Sequence, residues 1–211
     1  MAFDNACHGS RMKAHDYPVV FAAWLFTTPR WSHVPPLAQA IYPTLRTCCD
    51  ADGFTLFCYA GLAEQAGFTL MNFRMGLDCI ETTRFSFGTL AQRTHIVLDG
   101  RWISKIRVKI FVPNRRLVLR ASLFRRESGT PWPSLSLAAR AVFPVLAAQA
   151  SARGTKRGLP TLDEAAGLSG LADEDAAQEA VAELQKARLI GNRSGVAWVA
   201  ASWPADRVLR F

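Results

Sequence analysis

The sequence predicts an α+β protein whose two tandem domains are related by internal duplication. The main observation is a repeat, in which residues of the first half recur in the same order 101 positions later. A period of this length indicates a duplicated domain, because solenoid repeats run only about 20–50 residues. The identical pairs are Trp31 with Trp132, Ala38 with Ala139, Ala40 with Ala141, Pro43 with Pro144, Leu45 with Leu146, Ala51 with Ala152, and Gly53 with Gly154.

Composition places the chain among folded, basic proteins. Of its 211 residues, 50% are hydrophobic and 20% are charged, a balance that does not fit a disordered chain. The formal net charge is +8 and the isoelectric point is near 9.7. This charge favours a polyanionic partner, either a nucleic acid or an anionic membrane surface. The alternative is a basic protein whose charge has no specific partner.

The cysteines and the N-terminal region argue against several other classes. The five cysteines are odd in number and lack a Cys-x-x-Cys spacing, which argues against a disulfide framework and a zinc ribbon. The apolar run from Val19 to Phe26 is too short to span a bilayer and lacks a small-residue cleavage site. We therefore expect a cytoplasmic protein without a membrane contact, a metal or a cofactor.

The first half is predicted to contain an N-terminal arm, three helices and a short strand. Residues 1–30 form the arm, which includes a β-like run from Pro18 to Phe26. Pro43 lies inside the first helix, where it cannot donate the i→i−4 hydrogen bond. Gly67 suits the turn between the second and third helices. The predicted elements are a helix from Leu37 to Cys49, a strand from Phe54 to Phe57, a helix from Gly61 to Ala66 and a helix from Thr69 to Glu81.

A β-hairpin is predicted to follow these helices. Asp99-Gly100 is a strong two-residue turn signal between the strands His95 to Leu98 and Trp102 to Val112. A further strand is expected over Leu117 to Phe124. Three helices closed by a β-hairpin are typical of a winged helix-turn-helix domain, here with an extended β-sheet and wing. We assign this domain to residues 31–127.

The second half, residues 128–211, follows the same order. Ser134 or Ser136 is predicted to cap a helix from Leu137 to Ala152. A hairpin tip at Asn192 to Gly195 follows the third helix. The two halves therefore predict two tandem winged helix-turn-helix domains.

The second and third helices of this half carry the clearest local signals. Thr161-Leu-Asp-Glu164 is a capping box that begins the second helix. We expect Gly167 to form the following turn and Ser169 to cap the third helix. The whole string, Thr-Leu-x-Glu-Ala-Ala-Gly-Leu-Ser, resembles bacterial winged helix-turn-helix domains. The apolar face of the third helix is predicted to contain Ala177, Ala180, Val181 and Leu184.

The sequence contains no recognisable catalytic signature. A phosphate-binding loop, a dinucleotide-binding fingerprint, His-Glu-x-x-His and Gly-x-Ser-x-Gly are all absent. The four histidines are scattered and none forms a His-x-His pair. We therefore predict that the protein is not an enzyme, with a Cys/His or Ser/His pair formed in space as the alternative.

The strongest charge feature is the stretch from Arg101 to Arg126, which contains nine cations and no Asp or Glu. Three of them alternate along one strand face about 7 Å apart, twice the strand rise, which suits a phosphate backbone. The alternative is a solvated strand face whose cations discourage edge pairing. The candidate DNA contacts in this stretch are Arg101, Lys105, Arg107, Lys109, Arg115 and Arg116.

The third helices of the two halves differ in charge. In the first half, Asn72 and Arg74 flank the helix as candidate DNA contacts. Met71 and Met75 are predicted to face outward there, which suggests a protein contact.

The second half is acidic, with seven acids and no base between Gly158 and Gln185. Its third helix is predicted to present Asp175, Glu179 and Glu183 on the face opposite the core. Because carboxylates repel phosphates, we assign these three residues to a protein interaction.

The run Leu135-Ser-Leu-Ala-Ala-Arg-Ala-Val-Phe143 resembles a segment of plasmid replication initiators. In that family, a Leu-Ser-x-x-Ala-Arg-x-x-Phe segment opens the second of two tandem winged helices, and the layout of the whole chain is similar. The resemblance implies binding to repeated double-stranded DNA sites at an origin, with the main base contacts in the second domain. It also implies a homodimer or a monomer–dimer switch, and contacts with host replication proteins.

Two alternatives to an initiator have the same predicted fold. A transcriptional regulator would prefer palindromes near promoters to direct repeats at an origin. A tandem winged-helix scaffold would bind protein instead of DNA, and such scaffolds tend to be acidic. The net charge of +8 argues against a scaffold, whereas the acidic second half argues for one.

Overall fold

The structure is a computed structural model that describes residues 17–50, 52–57, 59–98, 101–109, 116–124, 130–153, 161–171, 173–193 and 196–199. Over these ranges the protein is mixed α+β, with eight α-helices and nine strands that pair antiparallel in four small sheets.

The helices are α1 (Ala23–Phe26), α2 (Pro29–Ser32), α3 (Pro36–Thr47), α4 (Tyr59–Ala66), α5 (Leu70–Thr82), α6 (Leu137–Arg153), α7 (Leu162–Ser169) and α8 (Glu174–Lys186). Two 3₁₀ turns cover Ala121–Phe124 and Trp132–Ser134. The strands are β1 (Pro18–Ala22), β2 (Phe54–Phe57), β3 (Arg84–Phe85), β4 (Gly88–Thr89), β5 (Ala91–Leu98), β6 (Arg101–Val108), β7 (Arg116–Arg120), β8 (Ile190–Arg193) and β9 (Val196–Val199).

The largest sheet has three strands in the order β2-β6-β5. Arg107 on the central strand pairs with Phe54 on one side and with Gln92 on the other. The pairing of Leu98 with Arg101 confirms the predicted hairpin and leaves two residues for the connection. The Asp99-Gly100 turn itself lies outside the described residues.

The strand that was predicted over Leu117 to Phe124 is shorter and has a different partner. β7 ends at Arg120 and continues into a 3₁₀ turn that buries three of its four side chains. A strand would have placed these side chains on alternating faces, whereas a turn directs most of them into the core. β7 pairs with β1, with Val20 opposite Val118, and does not extend the hairpin sheet.

The strand in the N-terminal run from Pro18 to Phe26 is also shorter than predicted. β1 ends at Ala22, and the residues up to Phe26 form α1 instead of continuing the strand. This single helical turn buries Ala23, Leu25 and Phe26 and leaves Trp24 36% exposed. Burial of three of four consecutive side chains explains why the run is not one long strand.

The predicted helix prolines and the predicted turn at Gly67 are confirmed. Pro43 lies inside α3, and Pro144 lies inside α6. Gly67 follows α4 with a φ of 70°, the left-handed conformation that favours glycine. A Cβ atom at Gly67 would also lie only 2.6 Å from Cβ of Pro133, so both conformation and packing require glycine here.

The predicted turn between α7 and α8 is wrong by three residues. The capping box of Thr161 and Glu164 is confirmed, but Gly167 lies inside α7 and does not form the turn. The turn is at Gly170, which has a φ of 66°. Ser169 is fully buried and caps nothing; Asp173 caps α8 instead by accepting a hydrogen bond from the backbone. Burial of the last turn of α7 extends the helix past a glycine that costs only about 1 kcal/mol.

A single hydrophobic core contains residues from both halves of the chain. Ile41 of α3 and Phe73 of α5 are fully buried in it, and so are Phe143 of α6 and Leu184 of α8. α3 and α6 pack directly against each other. The two halves are therefore joined by packing as well as by sequence.

Candidate nucleic-acid interface

α5 presents one face to the core and the other to solvent. Thr69 caps the helix by accepting a hydrogen bond from the backbone N–H of Asn72 at 3.2 Å. Gly76 lies against α3, where a Cβ atom would lie 2.3 Å from Cδ1 of Ile41. This close approach holds the inner face of α5 tightly on the core.

The outer face of α5 carries the four candidate residues of this helix. Met71 and Met75 are 69% and 53% exposed, and Asn72 and Arg74 are also exposed. Leu70 adds a further exposed apolar side chain. The face therefore combines an apolar patch with one amide and one cation.

Arg74 is held by an aromatic ring. Its guanidinium carbon lies 5.0 Å from the ring centroid of Tyr59, the first residue of α4. Arg93 of β5 lies near the same ring, at 5.9 Å. A cation at this distance is attracted by the ring quadrupole, so Tyr59 orients Arg74.

Arg93 joins the hairpin to α5. It donates hydrogen bonds at 2.7 Å to the carboxylates of Asp78 and Glu81 and at 2.8 Å to the hydroxyl oxygen of Tyr59. Burial alone would lower the pKa of Arg93, but these bonds raise it above its ordinary value. Burial raises the pKa of the Glu81 carboxyl, and Arg93 opposes that shift.

The polar network continues along the hairpin. Ser104 of β6 is hydrogen-bonded to the hydroxyl of Tyr59 at 3.3 Å and to Nδ1 of His95 at 3.3 Å. Neither Tyr59 nor Arg93 was among the residues predicted from the sequence. The signal that could have indicated a cation is the pair Asp78 and Glu81, two acids one turn apart on α5 that repel each other and are stabilised by a nearby positive charge.

The cations of β6 lie on the opposite side of the sheet from α5. Ser104, Ile106 and Val108 are buried, whereas Arg107 is exposed and Lys105 is half-buried. This confirms the predicted alternation from Ser104 to Lys109, whereas the predicted end of the strand at Val112 lies outside the described residues. Lys105, Arg107 and Lys109 are called the basic strip below.

The basic strip is arranged on aromatic rings. Nζ of Lys105 lies 4.1 Å from the ring centroid of Phe54, and the guanidinium carbon of Arg107 lies 5.2 Å from it. Nζ of Lys109 lies 5.1 Å from the ring of Phe87 and donates a hydrogen bond to the Phe87 carbonyl oxygen. Each of the three cations therefore lies against an aromatic ring.

The structure does not bring all the candidate DNA contacts together. Arg74 lies on the α5 side of the β2-β6-β5 sheet, and the basic strip lies on the other side. Arg116 begins β7, which belongs to a different sheet. Arg101 begins β6, where only its backbone is described, and Arg115 lies outside the described residues.

The acidic helix α8 differs from the prediction at one residue. Asp175 and Glu179 are exposed, as expected. Glu183 is half-buried and does not face outward: its carboxylate accepts hydrogen bonds from the backbone N–H of Ser136 at 2.8 Å and from the Ser136 hydroxyl at 2.6 Å. The Ser136 hydroxyl also caps α6 by accepting from the N–H of Ala139. Glu183 therefore stabilises the start of α6.

Two further properties of the described ranges bear on function. They contain no group of three His, Cys, Asp or Glu residues placed to hold a metal ion. Their helices include none with the length and apolar character needed to cross a membrane.

Comparison with protein-family models, curated proteins and solved structures found no match for this chain.

Proposed function

We propose that the protein is a sequence-specific double-stranded-DNA-binding protein with two tandem winged helix-turn-helix domains. The observation that carries this proposal is the exposed outer face of α5, which follows α4 across the Gly67 turn. The elements α3-β2-α4-α5 are followed by the short strands β3 and β4 and then by the β5-β6 hairpin, and β2 pairs with β6. Three helices followed by a hairpin support the proposed winged helix. In such a domain the third helix enters the major groove.

Aromatic packing supports the duplication. The rings of Trp31 and Tyr42 lie 5.7 Å apart at 69°, and those of Trp132 and Phe143 lie 5.7 Å apart at 72°. These residues are 101 positions apart in the chain. Equivalent residues thus form equivalent contacts in the two halves.

Contacts between the halves are reciprocal, which also supports the duplication. Gly67 after α4 lies against Pro133, and Gly170 after α7 lies against Ser32, where a Cβ atom would be 2.2 Å from the carbonyl oxygen. Ser32 and Pro133 lie in the segments that precede α3 and α6. Each half therefore packs the segment before its long helix on the glycine turn of the other half.

The segment that resembles plasmid replication initiators is a packing motif in this protein. Leu135, Arg140 and Phe143 are all buried. Arg140 donates hydrogen bonds to the carbonyl oxygens of Leu135 at 3.0 Å, Ala66 at 2.7 Å, and Pro133. The resemblance accordingly supports the fold of an initiator, and we propose binding to repeated origin sites as a homodimer or through a monomer–dimer switch. Host replication proteins are proposed partners.

A protein-binding scaffold is the second candidate, and it is favoured by the apolar part of α5. Leu70, Met71 and Met75 are 40%, 69% and 53% exposed on one helix. Contiguous exposed apolar residues of this kind mark protein interfaces more often than DNA contacts. The exposed acids Asp175 and Glu179 on α8 favour the same role.

Selection of bound fragments from random and source-genome DNA near physiological salt tests the proposal. Direct repeats clustered at one locus would support an initiator, whereas dispersed palindromes upstream of genes would indicate a transcriptional regulator. Recovery without sequence preference, or no recovery, would contradict the proposal and favour the scaffold.

Variants then test the role of α5. Asn72→Ala with Arg74→Ala should abolish the sequence preference. Gln178→Ala with Lys186→Ala changes one amide and one cation on the exposed surface of α8 and is the matched control. Equal loss of preference in both variants would contradict the assignment to α5.

A further inference from the structure

We propose that the outer face of the β2-β6-β5 sheet is a second nucleic-acid-binding surface, and that it takes a single strand. This goes beyond the proposed function, which concerns a duplex at α5. Arg93 contacts α5 and pairs in register with Ile106, so the inner face of the sheet is the one that faces α5. The basic strip lies on the other face, so it points away from the proposed duplex site on α5.

The outer face carries an uncompensated positive charge. Both described carboxylates of α5, Asp78 and Glu81, are on the inner side and are paired with Arg93. Asp52 is an acid at the rim of the outer face, in a cleft that also contains Arg107 and Lys109. Asp50 is a second acid near this rim, and its carboxylate accepts hydrogen bonds from the backbone N–H groups of Asp52 and Phe54. Three cations against two carboxylates still leave a net positive charge that attracts phosphate.

The spacing of the cations suits an extended strand. Side chains two residues apart on β6 repeat about every 7 Å along a straight line. A single nucleic-acid strand can lie along such a line with its phosphates towards the cations. The phosphates of a duplex instead follow a helical path, which leaves a straight row after one or two contacts.

Aromatic rings lie beside the cations. Phe54 is half-buried and lies near both Lys105 and Arg107. Phe87 is half-buried, stacks on Phe85 at 5.0 Å and lies near Lys109. A cleft of about 330 Å³ adjoins Phe87 and is also lined by Arg107 and Lys109. Positive charge combined with aromatic side chains is the usual basis of single-strand binding, because every base has a face that stacks.

The test measures single-strand and duplex binding in the same full-length variants. The probes are a labelled oligothymidine of about 20 nucleotides, longer than the ~4–16 nucleotides that one binding fold covers, and the duplex recovered by fragment selection. The strip variant is Lys105→Gln, Arg107→Gln and Lys109→Gln. The control is Arg30→Gln, Lys186→Gln and Arg188→Gln, which removes three exposed cations elsewhere. Circular dichroism and thermal melting verify that each variant is folded.

We expect the strip variant to bind oligothymidine at least tenfold more weakly and to keep its duplex affinity within about twofold. The slope of log K against log salt for the single strand should flatten by about two, since each phosphate contact contributes about 0.7. The control should bind both probes as the wild type does. A ternary complex of protein, duplex and oligothymidine should also form.

Several outcomes would overturn the inference. The first is that the wild type does not bind oligothymidine, and the second is that the strip and control variants lose oligothymidine affinity equally. The third is that polyglutamate displaces bound labelled oligothymidine as effectively as unlabelled oligothymidine does. Loss of duplex binding in the strip variant would place the strip in the duplex site and leave the proposed function standing. Strip-dependent binding of oligothymidine without any duplex binding would instead support the inference and contradict the proposed function.

Discussion

Gln39 and Arg140, which are 101 positions apart, make the same hydrogen bond in the two halves. Nε2 of Gln39 donates to the carbonyl oxygen of Val34 at 3.0 Å, and Nε of Arg140 donates to that of Leu135 at 3.0 Å. Arg140 is longer and also reaches Ala66 in the other half. The residue at this position therefore stabilises only its own half in the case of Gln39, whereas Arg140 also connects the two halves.

Arg140→Met is expected to lower the free energy of unfolding by about 3 kcal/mol. Burial lowers the pKa of Arg140 to about 10, yet its hydrogen bonds satisfy carbonyl oxygens that methionine would leave unpaired. Arg140→Gln should cost less, because glutamine can keep the bond that Gln39 makes. Urea unfolding measures both variants. Equal losses would contradict a role for the bond to Leu135, and an Arg140→Gln variant as stable as the wild type would contradict a role for the link to Ala66.

Gly67→Ala and Gly167→Ala should change stability in opposite directions. Gly67 has a positive φ and its added methyl would meet Pro133, so we expect a loss of at least about 1 kcal/mol. Gly167 lies inside α7 with no atom within 4 Å of an added methyl. Alanine there should raise stability by up to about 1 kcal/mol. Thermal or urea unfolding measures the stability of both variants. A destabilised Gly167→Ala variant would indicate that the turn is at residue 167.

Glu183→Ala should destabilise the protein, whereas Glu179→Ala should not. Glu183 accepts two hydrogen bonds from Ser136 at the start of α6, and its removal should cost about 1–2 kcal/mol. Glu179 is exposed on the same helix, so its variant should stay within about 0.5 kcal/mol. Similar unfolding free energies for the two variants would indicate that Glu183 faces solvent with Asp175 and Glu179 and does not bind Ser136.

The buried thiol of Cys49 is expected to make the protein less stable at alkaline pH. Burial raises the pKa of its thiol from 9.0 to about 12, and the thiol donates to the carbonyl oxygen of Leu45 at 3.3 Å. The unfolded chain therefore loses this proton first as the pH rises above 9, and the free energy of unfolding falls. Between pH 9 and 10 the fall should be about 1 kcal/mol. Unfolded Tyr42 also begins to titrate towards the upper end of this window, because burial raises its pKa in the folded protein, so the contribution of Cys49 is the difference between the wild type and a Cys49 variant.

Cys49→Ala should remove this pH dependence when unfolding is followed by urea titration at each pH. Cys79→Ala, another half-buried thiol, is the control and should keep the wild-type slope. A slope that is unchanged in Cys49→Ala would contradict the assignment.

Tyr59 is expected to act on DNA through Arg74. Tyr59→Leu removes the ring under the guanidinium and should weaken duplex binding two- to fivefold, or by about 0.5–1 kcal/mol. Tyr59→Phe keeps the ring but loses the hydrogen bond to Arg93, so its duplex affinity should be close to wild type. Equal weakening in both variants would show that the hydroxyl, not the ring, is responsible. An electrophoretic mobility shift assay with the selected duplex measures the affinity of both variants.

The predictions that succeeded depended on local rules. The bounds of β2, the alternation from Ser104 to Lys109, and the capping box of Thr161 and Glu164 all follow from residues a few positions apart. The candidate residues of α5 are exposed for the same reason, because helical periodicity separates them from Phe73 and Leu77.

The features that were missed depend on partners far away in the chain. β7 pairs with β1 almost 100 residues earlier, and Glu183 meets Ser136 across 47 positions. Arg93 is bound by acids of α5 that no hairpin pattern indicates. In α7, burial of Ser169 overrode a glycine that suggested an earlier turn.

The sequence by itself determined the α+β class, the hairpin with its alternating cations and the repeat of 101 residues, because these depend on periodicity and composition. Only the tertiary structure decided that Arg74 and the basic strip lie on opposite faces of one sheet. The side of a sheet on which a helix packs depends on burial summed over the whole core, and no local pattern contains that information.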